Sequence, residues 1–125
     1  GYRKALELSL GADLQLLIGD TTPYYAASKL MSLAASGRPF FAVINRASFP
    51  AEFLRELGFQ NKFEFDVDEL TQPEIVDRLA RSIIAAIDNR NLFQSIPADN
   101  KVLDQYTAFA MTKTFSDTIK NVIHE

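Results

Sequence analysis

The chain contains no cysteine. Disulfides and thiolate metal sites are therefore excluded, which is compatible with a cytoplasmic setting. A peripheral place at a membrane stays open, but no apolar run approaches the length of about 18 residues that a spanning helix needs. No secretory leader is expected at its start. Histidine occurs once, as His124 next to the end. It reads as frayed surface, and no Ser-His-Asp set can be built on it. Positive charge is not in excess: 13 Lys and Arg stand against 16 Asp and Glu, for a net charge of −3. General nucleic-acid binding gains no support from that balance. The chain has neither a glycine-rich dinucleotide fingerprint nor a Walker pattern. Internal repeats and low-complexity segments are also absent.

What is present is an ordinary globular composition. The 125 residues are 47% hydrophobic and 23% charged. That length fits one domain with a real core. The organising stretch runs from Leu14 to Pro39. Leu14, Leu16, Leu17 and Ile18, bounded by Gly19, predict a strand covered on both faces. Asp20, Thr21, Thr22 and Pro23 are turn-forming residues. From Tyr24 a helical spacing begins, with Ala26, Leu30, Leu33 and Gly37 on one side and Ala27, Met31 and Ala34 beside them. Tyr25, Lys29, Ser32 and Ser36 form a polar stripe. Gly37 is placed to stop the helix in a left-handed conformation, and Pro39 prevents its return. A strand feeding a helix through a polar loop leaves backbone N–H groups suited to an anion such as phosphate. Most strand-loop-helix units of this kind bind nothing, so from the spacing alone a solvated, empty loop is the commoner reading.

Ala12-Asp13-Leu14 to Ile18, followed by Ser28-Lys29-Leu30 and Leu33-Ala34-Ala35-Ser36-Gly37-Arg38-Pro39, resembles the nucleotide-sugar glycosyltransferases of the GT-B fold. The likeness is to the later half of their C-terminal, donor-binding domain, with Phe40 to Ile44 as the next strand. It implies a nucleotide-sugar donor bound as substrate, no cofactor and no metal. It also implies donor-side residues among Thr21, Thr22, Tyr24, Tyr25, Ser28, Lys29 and Ser32. Lys29 would neutralise phosphate, and Ser32 would face the ribose. Many retaining members carry two glutamates where this chain has Tyr24 and Ser32. Serine can still hydrogen-bond a sugar hydroxyl, but it is not a charged bidentate acceptor. The acceptor, sugar or lipid-linked, and the catalytic residues are not assigned. In that family the closing helix crosses onto an N-terminal domain. Such a missing domain, or self-association, is the expected protein partner. A non-catalytic flavodoxin-like binding or interaction module is the alternative, and a sugar-nucleotide epimerase a third reading.

The fold expected is α/β: a parallel, three-layer Rossmann-like arrangement of about three strands with flanking helices. A helix over Tyr2 to Leu10 precedes the first strand and ends at Gly11. Asn45-Arg46-Ala47 is a polar exit loop, and Ser48 caps a helix over Phe49 to Leu57 with Gly58 as its stop. Lys62 to Val67 alternates as a half-buried strand near a sheet edge. Thr71 and Glu74 predict a capping box around Pro73. The next helix should bury Ile75, Val76, Leu79, Ile83 and Ile87 and close near Asp88-Asn89-Arg90. Asp66, Asp68 and Glu69 suit a solvated loop far better than a metal site, and Arg38 suits a helix-end cation. Residues 1–97 form the core, Ser95 to Asn100 a linker, and 98–125 a helical segment anchored by Tyr106, Phe109, Phe115, Ile119 and Val122. Its apolar face either stands exposed or covers its own sheet. Ligands gather at the carboxyl ends of parallel strands, which selects Asp20 to Ser28, Asn45 to Ser48 and Asp66 to Glu69 as one rim.

Overall fold

A computed structural model describes residues 1–25, 28–89, 95–97 and 100–123. The expectations for Ala26, Ala27, Arg90, Ala98, Asp99 and His124 lie outside the described residues. Three strands, β1 (Gln15–Ile18), β2 (Phe40–Asn45) and β3 (Lys62–Phe65), pair in parallel in the order β1-β2-β3. Gln15 pairs with Phe40 and Ile18 with Val43, while Ala42 pairs with Lys62 and Asn45 with Phe65. The helices are α1 (Tyr2–Gly11), α2 (Leu30–Ala35), α3 (Phe49–Glu56), α4 (Glu74–Asp88), α5 (Lys101–Asp104) and α6 (Ala108–Ile123). A 3-10 helix, Val67–Thr71, joins β3 to α4. This is the mixed α/β architecture expected from the pattern, with Gly37 and Gly58 both at positive φ where their helices end.

The pleat decides the layers. Alternate residues of a strand point to opposite faces, so Phe40, Ala42 and Ile44 enter one core and Phe41 and Val43 the other. The first core takes Leu17, Leu30 and Ala34 from β1 and α2, and Phe53 and Leu54 from α3. Phe40 stacks on Phe59 with ring centroids 4.3 Å apart, and Tyr106 meets Phe53 edge-on at 5.0 Å. The opposite core joins Phe63 and Phe65 to Ile75 and Ala86 of α4. Covered on both sides, β2 is buried at all six positions.

Several local expectations are corrected. β1 is not covered on both faces: Leu17 is buried, but Leu16 is 52% and Ile18 65% exposed. Among the described residues no partner strand lies beyond β1, and α4 sits over β2 and β3. The helix after Tyr24 starts only at Leu30. Asp20 Oδ1 accepts from the Thr21 hydroxyl and the Thr22 N–H, and the Tyr25 N–H donates to the Thr22 carbonyl. The Asp20 contacts hold the turn expected there, and the Tyr25 bond carries it into the start of the expected helix. β3 ends at Phe65, because Asp66 caps the 3-10 helix. The capping box is Asp66 with Glu69, not Thr71 with Glu74; Pro73 itself precedes α4 with no side-chain cap. Ser48 precedes α3, but its hydroxyl donates backward to the Asn45 carbonyl at 2.6 Å. On α4 Ile75 is buried, whereas Val76 and Ile87 are exposed. Tyr106 anchors the tail against Phe49 and Phe53, but α6 buries no residue, and Phe109 is 82% exposed. Among the described residues no helix is long and apolar enough to cross a membrane.

Candidate functional site

Parallel pairing brings the carboxyl ends of all three strands to one rim. The loop after β1 begins with a close approach: a Cβ on Gly19 would lie 3.3 Å from the Val43 carbonyl oxygen. The Gly19 N–H donates to that carbonyl at 2.8 Å, so the loop leaves β1 tight against β2. Asp20 then organises Thr21 and Thr22. The Thr22 N–H and the Thr21 hydroxyl hold the Asp20 carboxyl below its ordinary pKa.

The neighbouring loop fastens to this one through Asn45, which is 4% exposed. Its Nδ2 donates to the Thr21 carbonyl at 2.6 Å, while its Oδ1 accepts from the Ala47 N–H at 2.9 Å. Its own carbonyl accepts from the Ser48 N–H and hydroxyl. Sequence reasoning saw in Asn45 only a loop polar residue. The single available signal was a carboxamide ending a fully apolar strand, a position that demands partners.

Farther along the rim, charges are neutralised internally. Arg46 meets Asp66 at 3.0 Å and Glu69 at 3.8 Å, and Arg78 meets Glu69 at 2.9 Å while lying 5.5 Å over the Phe63 ring. The Asp66 N–H also donates to Glu69 at 2.8 Å. That bond first, then Arg78 and Arg46, lowers the Glu69 pKa against the opposing effect of desolvation. Asp66 and Glu69 are thus bound up in a cap and ion pairs. Among the described residues no group of three or more His, Asp or Glu side chains is placed to hold a metal.

The residues expected to bind a donor separate into two groups. Thr21, Thr22, Ser28, Lys29 and Ser32 are exposed at or beyond the β1 loop, and Tyr24 is 95% exposed. Tyr25 is half-buried with its ring against the first core, which gives it a packing role. Lys29 precedes α2, and its carbonyl accepts the Leu33 N–H. Among the described residues Lys29 makes no ion pair, unlike Arg46 and Arg78. The Tyr25 N–H is already spent on Thr22. With only six residues, α2 also offers a weaker dipole than the long helix expected. Any anion here would rest on Lys29 and hydroxyls more than on a helix start. Comparison with protein-family models, curated proteins and solved structures yields no match.

Proposed function

We propose that the chain is the nucleotide-sugar-binding part of a glycosyltransferase, transferring a sugar to an acceptor still to be identified. The observation that carries this reading is Lys29, which makes no ion pair among the described residues. It stands with the exposed hydroxyls of Thr22, Ser28 and Ser32 along the loop and first turn that follow the carboxyl end of β1. A diphosphate would lie against Thr21, Thr22 and Lys29, with Ser32 toward the ribose. The GRP helix-end sequence and the strand order support the same choice. As in the family the chain resembles, turnover would draw on residues of another domain. Titration of the protein with UDP, GDP and their sugars tests the reading. A charge-assisted contact contributes about 1.5–3 kcal/mol, so Lys29→Ala should bind about tenfold to a hundredfold more weakly. Ser32→Ala should lose less, because a neutral hydrogen bond contributes about 1 kcal/mol. Equal affinity in wild type and Lys29→Ala would remove Lys29 from the site. Failure of wild type to bind any of these nucleotides would leave the second reading, a non-catalytic interaction module. The exposed apolar residues of α6 and β1 favour that alternative.

A further inference from the structure

We infer that Asn45 is a positioning residue, which holds the β1 loop in one arrangement for its ligand without touching that ligand; the ligand being a nucleotide rests on the reading above. The argument begins with what the position requires. Asn45 closes a strand buried at every position and is itself buried. It faces a carbonyl on one side, that of Thr21, and an N–H on the other, that of Ala47. Only a planar group with one donor and one acceptor satisfies both, and only one orientation of the carboxamide does so. Leucine would satisfy neither. Aspartate keeps the shape and the acceptor but turns a second lone pair toward the Thr21 carbonyl.

The Thr21 carbonyl lies inside the turn made by Asp20, Thr21 and Thr22, so this bond ties a whole loop to the end of the central strand. The start of the loop is fixed to β2 by the Gly19 N–H on the Val43 carbonyl, and the Tyr25 ring packs on the first core. The hydrogen bonds inside the turn are local: Asp20 to its two neighbours, and Tyr25 to Thr22. Among the described residues Asn45 alone hydrogen-bonds the turn at Thr21 to the sheet, and its Oδ1 also holds the second rim loop through the Ala47 N–H. One buried side chain therefore sets the spacing between two loops that would face the same ligand.

Asn45→Asp, read beside wild type by amide hydrogen exchange and by nucleotide titration, tests this. The expected result is exchange at Thr22 and Tyr25 faster by about tenfold, the worth of one lost hydrogen bond. Leu17 and Val43, inside the ladder, should keep their protection. UDP or GDP should bind more weakly by a similar factor, with no loss of the folded fraction. Uniformly faster exchange across the sheet would make Asn45 merely structural and overturn the inference. Unchanged loop exchange, or faster loop exchange with wild-type affinity, would overturn it as well. If wild type binds no nucleotide while Asn45→Asp still loosens the loop alone, the nucleotide reading falls and the positioning role stands.

Discussion

Glu69 accepts from the Asp66 N–H and from Arg78, and lies 3.8 Å from Arg46, so three segments depend on one carboxylate. Its lowered pKa fixes the sign of a pH effect. A carboxyl whose folded pKa is below its unfolded value adds stability above the unfolded value and loses it as pH falls through the folded one. Glu69→Gln should therefore have a lower urea midpoint than wild type at pH 7. The gap should narrow as pH falls below about 4, where the unfolded carboxyl binds its proton, and close once the folded carboxyl binds its own. A constant gap from pH 7 to pH 3 would detach the effect from this charge. The residue scale is also where the sequence was most ambiguous. The spacing of an acid or threonine three residues before a glutamate occurs twice, at Asp66 and at Thr71. Pro73 made the second attractive, but the end of β3 presents Asp66 with its N–H free to be capped. Asn45 was not legible as a tether, because its partner in the Thr21 loop lies 24 residues earlier.

Among elements, β2 and α3 follow their hydrophobic spacing closely, α4 follows it in part because Val76 and Ile87 stand exposed, and the parallel order was readable from three apolar runs each followed by a helical pattern. α2 did not follow it. The sequence from Tyr24 to Gly37 keeps a helical period, but the Tyr25 N–H closes a turn onto the Thr22 carbonyl and its ring packs against the core. Periodicity marks which side is apolar; it does not say where a competing turn will win. α6 teaches the complementary lesson. Its apolar spacing is clear, yet spacing carries no information on whether anything covers it. Phe115, on α6, is exposed, whereas Phe53, on α3, is buried. Phe115→Asp should shift stability by no more than about 0.5 kcal/mol. Phe53→Ala should cost about 3–5 kcal/mol through the lost burial and the cavity left behind. Chemical denaturation of both variants compares them. A loss above about 1 kcal/mol in Phe115→Asp would mean that α6 is packed in solution.

For the molecule as a whole, the sheet is finished on neither side, and β1 is the vulnerable one. Gln15 and Gly19 direct their N–H groups to β2. The strand alternates, so those of Leu16 and Ile18 point away from it, beside exposed apolar side chains. Self-association through this edge is the expected outcome at high concentration, and Leu16→Lys should reduce it. Light scattering decides: a wild type that stays monomeric, or a lysine variant that associates as strongly, would acquit the edge. The central strand has a different exposure, one in time. Gln15 meets Phe40 and Ala42 meets Lys62, partners roughly 20–25 residues apart along the chain. Helices close within nanoseconds to microseconds, but β2 is not paired on both edges until two long connections have closed. During synthesis Phe40 to Asn45 emerge before β3 exists to receive them. Six nearly uncharged, β-prone residues then wait in the open. The strand that is best protected in the finished fold is the one most at risk on the way to it.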